Sequence, residues 1–280
     1  MTIFALDLRN VKVIFIALLL GFASLLLVPG CGRKGDSDRL PSIERIRERG
    51  VLLAGTTGDY HPLTFLEADG SYTGFGIEVA EVIARELGVG IRFVPTSWPT
   101  LTADVLEDPQ KFDLAIGGIT ITEKRLESML MSDGYLANGK TILCRREDAG
   151  RFGSLEDIDR PEVRVMVNPG GTNELLAREK LSHATIIVHP SNLEIPGLVA
   201  EGAADVMVTE ITEAPYYVGI DERLAAPLVD RPFTSGFIGV LMRKGQDDLL
   251  EVVNGVIGRM KADGSLKALH EAYGLGYSFD

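Results

Sequence analysis

Gly76-Ile77-Glu78-Val79-Ala80-Glu81-Val82-Ile83-Ala84-Arg85-Glu86-Leu87 carries apolar residues at Ile77, Ala80, Val82, Ile83 and Leu87, a helical stripe, and Gly88 supplies its stop. Apolar runs lie on both sides of it. Val51 to Gly55 before it and Ile91 to Val94 after it each read as a strand. Farther along, Thr100 to Leu106 reads as a helix and Leu114 to Gly117 as a buried strand. This β-α-β-α-β order implies right-handed crossovers and a largely parallel sheet. Upstream, Pro41 to Arg49 reads as a short charged helix closed by Gly50.

The alternation restarts near Thr141. Ser154 to Ile158 reads as a short turn of helix, Val163 to Val167 as a strand, Asn173 to Leu181 as a helix and Ala184 to Val188 as a strand. A helix then reaches Glu201, and Pro196 must bend or shorten it. Asp205 to Thr209 reads as a strand, with a helix from Glu210. Beyond Arg231 the pattern gives a strand over Gly236 to Met242, a helix over Leu249 to Ala262 closed by Gly264, and one short last helix. The fold class is therefore α/β.

The 280 residues suffice for one large domain or two modest ones. With 28 basic and 40 acidic residues the formal charge is -12, which excludes a nucleic-acid partner, because backbone phosphates demand a basic face. An anionic ligand must instead be drawn by a few placed cations and backbone amides. The amino terminus differs from the rest. Arg9 and Lys12 precede an apolar run from Val13 to Val28, and Val28-Pro29-Gly30-Cys31 resembles a bacterial lipobox. The expectation is a signal peptide over 1–30 and a lipidated tether over 31–40, with Cys31 carrying the lipid as the sole membrane contact; an uncleaved anchor helix is the alternative. The second cysteine, Cys144, follows Thr141-Ile142-Leu143 and reads as a buried, inert thiol. His61, His183, His189 and His270 lack metal-ligand spacing, and no metal or other cofactor is expected.

Several residues have chemistry suited to a carboxylate ligand. Arg125 sits one turn inside a helix opened by Thr122, and a guanidinium grips a carboxylate through two hydrogen bonds. A surface pairing with Glu123 or Glu127 is the competing reading. Asn168-Pro169-Gly170-Gly171-Thr172-Asn173-Glu174 runs from a strand end through two glycines into a helix, where free amides favour an anion; a plain turn has the same composition. Trp98, the only Trp, lies between two prolines and suits either a ring-binding wall or a core. Tyr60, beside Asp59, reads as a cleft-wall aromatic. Glu210 and Glu213 fall three residues apart, which on a helix places them on neighbouring faces; a solvent-facing Glu213 is the alternative.

Gly118-Ile119-Thr120-Ile121-Thr122-Glu123-Lys124-Arg125, Met131-Ser132-Asp133-Gly134-Tyr135, Gly74-Phe75-Gly76-Ile77-Glu78 and Lys261-Ala262-Asp263-Gly264 resemble the amino-acid-binding proteins of ABC importers over nearly all of 41–280. The resemblance implies a two-lobed periplasmic-binding-protein-like fold of type II, joined by two crossover hinge strands. Lobe 1 would span 41–138 plus 234–280 and lobe 2 142–230, with hinges near Lys140 and Pro232. Five further motifs, Thr56-Thr57-Gly58-Asp59-Tyr60, Pro95-Thr96-Ser97-Trp98-Pro99, Asn138-Gly139-Lys140-Thr141, Asn168 to Glu174 and Val188-His189-Pro190, resemble the cyclohexadienyl dehydratase family, a catalytic offshoot of that fold. That family converts prephenate to phenylpyruvate, or arogenate to phenylalanine, with loss of water and carbon dioxide.

The resemblance implies roles. Arg125 and Thr120, with amides near Gly170, Gly171 and Thr172, would hold one carboxylate. Lys140 and Asn168 would orient the second carboxylate or the leaving hydroxyl. Glu210 occupies the position that receives a ligand amino group, and Glu213 would be the general acid. Trp98 and Tyr60 would wall the substrate ring. Two positions depart from the pattern: Glu210 stands for the usual Asp, and Pro215 stands where a basic residue is expected and would bend its helix. The other reading of the same resemblance is a non-catalytic amino-acid-binding lipoprotein that serves an ABC permease.

Overall fold

The computed structural model describes residues 42–107 and 109–276. The expected signal peptide (1–30), the tether (31–40) with Cys31, and positions 41 and 277–280 of the expected first lobe lie outside the described residues.

Helix α1 (Ser42–Arg49) leads into strand β1 (Val51–Thr56). Three short strands, β2 (Asp59–Tyr60), β3 (Thr64–Leu66) and β4 (Tyr72–Thr73), form a small antiparallel sheet. Helix α2 (Phe75–Leu87) follows, with Ile77, Ala80, Ile83 and Leu87 buried. Gly88 ends it in the left-handed conformation at φ 72, which glycine adopts without a Cβ clash. Strand β5 (Gly90–Pro95), helix α3 (Leu101–Leu106), strand β6 (Leu114–Ala115), helix α4 (Glu123–Ser128) and strand β7 (Met129–Met131) complete the first run.

Strand β1 pairs in parallel with β5 and β6, as the crossover order requires. The expected strand over Leu114 to Gly117 is cut to two residues because Gly117 turns the chain at φ 112.

Strand β8 (Leu136–Asn138) leaves this sheet, and β9 (Lys140–Arg145) enters a second one. There follow a 3-10 segment (Arg146–Arg151), helix α5 (Leu155–Ile158), strand β10 (Arg164–Val167), helix α6 (Thr172–Lys180), strand β11 (Thr185–Val188), helix α7 (Ile195–Ala200), strand β12 (Val206–Glu210), helix α8 (Ala214–Ile220) and strand β13 (Leu224–Ala225). The chain returns through β14 (Gly236–Ile238), adds β15 (Leu241–Arg243) to the first sheet, and ends its described part in α9 (Asp247–Ala262) and α10 (Ser265–Ala272).

The first sheet has the order β5-β1-β6-β15-β7 and the second β11-β10-β12-β9-β13. Both are mixed: β10, β11 and β12 run parallel, whereas β9 runs antiparallel to β12. The second sheet is covered on both faces, and the alternation along its strands shows how. Val206 and Val208 join Ile142 and Cys144 in one apolar cluster, while Met207 joins Leu143 and Met166 in another. The first sheet has the same plan, with Leu52 and Leu114 on the α2–α9 side and Leu53 and Ala115 on the α3 side. Cys144 is fully buried, and burial pushes its thiol up to about 12, in keeping with an inert role.

Two segments cross between the sheets side by side. Strand β8 pairs antiparallel with β14, Asn138 opposite Gly236. Beyond that pair the Lys140 amide donates to Thr234 Oγ1 at 2.9 Å and the Phe233 amide donates to the Lys140 carbonyl at 2.7 Å. Gly139 sits where any Cβ would collide with the Thr234 carbonyl oxygen.

Four local expectations are corrected. The helix expected from Glu210 begins at Ala214: β12 stays in its ladder with β9 through Glu210, opposite Lys140, and the chain then turns. Pro196 and Pro215 occupy first-turn positions of α7 and α8, where the missing amide has no intrahelical acceptor, so both start helices rather than bend them. The expected strand over Gly236 to Met242 is two strands. They part at Gly239, where an added Cβ would come within 3.0 Å of the Ile121 side chain and 3.2 Å of the Ser132 carbonyl oxygen, so those neighbours would have to give way.

Candidate active site

The carboxyl ends of β1, β10 and β12 and the start of β9 converge, as ligand sites do in open α/β sheets. The β9–β12 ladder places Lys140 opposite Glu210 on one face. Their side chains form an ion pair, with Lys140 5% and Glu210 2% exposed. Lys140 Nζ also donates to Thr172 Oγ1 and to Asn173 Oδ1, each at 2.6 Å. Glu210 accepts further hydrogen bonds from the Tyr60 hydroxyl and, at 3.1 Å, from Thr120 Oγ1.

These contacts set the charges. Burial would push the Glu210 carboxyl up, but the Lys140 charge and the converging donors outweigh it and hold the group below its ordinary value. Burial lowers the Lys140 ammonium, against the pull of Glu210. The Tyr60 hydroxyl is driven well above its usual range by burial and then by Glu210 and Glu213.

Glu213 lies three residues on in a different environment. It is the N-cap residue of α8 and is fully buried. Its Oε1 accepts from Asn192 Nδ2 at 2.7 Å, and its Oε2 meets the Thr209 hydroxyl. Among the described residues no cation pairs with it. Burial raises its carboxyl to about 8, against the Thr209 and Asn192 hydrogen bonds and with added repulsion from Glu210 and Asp59. At neutral pH it therefore holds a proton, and Oε2 can carry it against the Thr209 oxygen while Oε1 still accepts from Asn192.

The remaining expected residues divide between two spaces. A small inner cavity is lined by Tyr60, Trp98, Asn168, Gly171, Thr172 and Glu210. Tyr60 and Trp98 meet edge to face with ring centroids 5.7 Å apart, and Trp98 Nε1 donates to Asp59 Oδ1 at 3.0 Å. Trp98 thus serves core and cavity wall together. Asn168 is buried and accepts from Asn173 Nδ2 at 3.5 Å.

Arg125 opens instead on an outer cleft shared with Thr122, Gly170, Gly171 and Thr172. Thr122 caps α4 by accepting from the Arg125 amide at 3.3 Å, and Arg125 Nη1 donates to the Thr120 carbonyl at 2.5 Å. Neither Glu123 nor Glu127 pairs with it. Burial lowers its guanidinium and Glu210 raises it. Gly170 at φ 77 lies so near Pro99 that a Cβ would sit 2.5 Å from the Pro99 Cα, so backbone on the two sides of the cleft is already in contact. The Gly170 amide is taken by Glu174 Oε2 at 2.7 Å, which removes it from the set of donors free for a ligand.

Sequence reasoning missed Asn173, which shares the Lys140 ammonium, Asn192, which holds Glu213, and Thr209 on the other carboxyl oxygen. Asn173 carried a signal only as a member of the Asn168 to Glu174 motif. Asn192 carried none beyond its place shortly after Val188-His189-Pro190.

The sequence pattern of the bacterial extracellular solute-binding proteins, family 3, matches residues 52–276. The chain belongs to that family. Among its relatives, the cyclohexadienyl dehydratase of Pseudomonas aeruginosa is 40% identical over 211 residues, covering 75% of this chain and 77% of that one. An ancestral amino-acid-binding protein described as a precursor of cyclohexadienyl dehydratase superposes with a TM-score of 0.77 at 37% identity, covering 83% of this chain and 99% of that one. An ancestral cyclohexadienyl dehydratase is 50% identical, with a TM-score of 0.52, over 84% of this chain and 96% of that one. The two-lobed α/β fold and the likeness to the dehydratases stand on these matches. Family 3 thus holds enzymes and solute binders on one scaffold, and fold alone does not separate them.

Proposed function

We propose that this chain is a cyclohexadienyl dehydratase, converting prephenate to phenylpyruvate and/or arogenate to phenylalanine. The observation that carries the reading is Glu213: a fully buried carboxyl, raised to about 8, three residues from an ionised Glu210. A passive binder has no use for a stored proton. A general acid needs one, with a pKa near the working pH.

In the proposed reaction Arg125 and Thr120, with Gly171 and Thr172 at the helix start, hold one carboxylate. Lys140 and Asn168 orient the second carboxylate or the hydroxyl, between walls formed by Tyr60 and Trp98. Glu213 gives its proton to the ring hydroxyl as the carbon–oxygen bond breaks. The bond to the ring carboxylate breaks in the same event, its electron pair enters the ring, and carbon dioxide departs. Aromatisation drives the step, so no metal or organic cofactor is invoked. Closure of the lobes excludes water. Under this reading the chain is exported to the periplasm or cell envelope and anchored by lipid on Cys31.

A second reading has an observation of its own: the amino-acid-binding ancestor superposes with the higher TM-score. There Arg125 and Glu210 would hold an amino acid for an ABC permease, and Glu213 would be structural. Incubation with prephenate at neutral pH, followed by the absorbance of phenylpyruvate, separates the two. Product formation is expected; no product together with tight binding of a free amino acid would defeat the enzyme reading.

A further inference from the structure

Asp59, Tyr60 and His61 touch the second lobe at three successive residues. The Asp59 carbonyl oxygen accepts from Asn192 Nδ2 at 3.0 Å. The Tyr60 hydroxyl donates to Glu210. The His61 ring stacks on Tyr216, with centroids 4.3 Å apart and planes inclined by 11°. The tripeptide is held rigidly on its own side. β2 is laddered to β3, Trp98 Nε1 donates to the Asp59 carboxylate, and the other face of His61 lies on Phe65 with centroids 4.0 Å apart.

Asn192 is the partner of this tripeptide that also contacts the acid. It is 1% exposed, and its Nδ2 donates both to the Asp59 carbonyl and to Glu213 Oε1. An amide nitrogen has two hydrogens, so both are in use. The orientation of this amide follows from its partners. A backbone carbonyl can only accept, so Asp59 demands the nitrogen on its side. The Asn192 oxygen is thereby turned away and is left without a hydrogen-bond partner.

With Nδ2 fixed, Glu213 Oε1 is confined to accepting, and the carboxyl proton is confined to Oε2. When the lobes part, the Asp59 carbonyl leaves. Nothing then prevents the amide from turning over and taking the proton's hydrogen bond on its own oxygen.

We propose that Asn192 is a positioning residue that makes the orientation of the Glu213 carboxyl group conditional on lobe closure. Asn192 needs no contact with substrate to act. It reads the arrival of Asp59 and fixes which oxygen of Glu213 carries the proton. The consequence for rate rests on the dehydratase reading; the coupling itself does not.

The charged and titratable groups around Glu213 are Glu210 from β12, Asp59 and Tyr60 from β2, Lys140 from β9 and Tyr217 from α8. Substitution at Asn192 leaves all of them in place. Asn192→Leu fills the volume and removes the donor; Asn192→Ala is the second variant should the first fold poorly. The carbonyl stretch of protonated Glu213, identified by its loss in Glu213→Gln, gives the titration midpoint by infrared difference spectroscopy. That readout needs no turnover.

Wild type is expected near pH 8. Loss of a donor to the charged form should move the midpoint up by about one unit in either variant. Gly170→Val places a side chain against Pro99 and props the lobes apart, with a larger radius of gyration in solution scattering; in that background Asn192 no longer donates to the charged form, so adding Asn192→Leu should not raise the midpoint. With prephenate, the alkaline limb of kcat should follow the infrared midpoint upward in Asn192→Leu, while kcat itself falls. An unmoved midpoint in both Asn192 variants, with folding intact, overturns the proposal, as does an Asn192→Leu shift of the same sign and size in a demonstrably open Gly170→Val protein. A shifted midpoint in a protein that never turns over prephenate removes the enzyme reading and leaves the coupling standing.

Discussion

Glu210 and Glu213 are separated by two residues, are both buried, and live under opposite electrostatics. Glu210 closes a strand whose ladder partner is Lys140, and it collects that cation together with the Tyr60 and Thr120 hydroxyls. Glu213 opens a helix and receives only neutral groups, Thr209 and Asn192. The first is held below its ordinary value and the second is raised to about 8. The lesson is that burial alone does not decide the state of a carboxyl. A cation within contact distance does, and here backbone register determines which acid receives one.

The comparison can be broken most severely at Glu213. Glu213→Gln keeps the shape and removes the transferable proton, so the rate of prephenate turnover should fall about 10²–10⁴-fold. The neutral amide resembles the neutral acid, so the midpoint of thermal unfolding should hold. The same variant checks the sign of the pH dependence. The Glu213 value is raised on folding from 4.5 to about 8. Its favourable contribution is therefore complete below pH 4.5 and is lost as pH rises toward 8, because the native state then binds the extra proton. Urea titrations of wild type should show stability declining across that window, and Glu213→Gln should flatten the decline.

Lys140→Met attacks the other end. It strips Glu210 of its cation and makes the two acids alike. Breaking a buried pair from one side costs about 3–5 kcal/mol, and chemical denaturation should register a loss of that size. Adding Glu210→Gln to the same chain should recover much of it.

A milder change, Tyr60→Phe, leaves the Lys140–Glu210 pair and removes one donor to a charged group. The expected loss is about 1.5–3 kcal/mol by the same measurement. Smallest of all should be Trp98→Phe, which keeps most of the ring contact with Tyr60 and drops one half-buried hydrogen bond to Asp59, for about 1.5 kcal/mol, the low end for a bond to a charged group. An effect at Trp98 larger than that at Tyr60 would show that the pocket wall, and not the charge arrangement, holds this site together.

What could be read from the sequence follows the range of the interactions involved. Helix α2 was legible because its stripe and its Gly88 stop are local. Thr122 and Arg125 were legible for the same reason, the cap and its donor being three residues apart. The misplaced helix at Glu210 has a long-range cause: β12 continues through that residue only because β9 lies beside it, 70 positions away in the chain. The role of Asn192 was invisible because both its partners, Asp59 and Glu213, belong to other segments. The motifs around Lys140, Asn168 and Glu213 drew attention to residues that the fold brings near one another, yet they gave no hint that Lys140 and Glu210 would pair.

The first sheet has the order β5-β1-β6-β15-β7, so its fourth member is contributed by Leu241–Arg243, made after the whole second sheet. A ribosome delivers β1, β5, β6 and β7 early, but β6 and β7 have no way to join until residue 243 has emerged. Strand pairing across such a span is intrinsically slow. The nascent first half must wait, incomplete and with apolar edges uncovered, while the second half is able to mature first. The order in which the two sheets can be completed is thereby the reverse of the order in which they are begun, and folding should pass through a stage in which the second sheet is closed and the first is not.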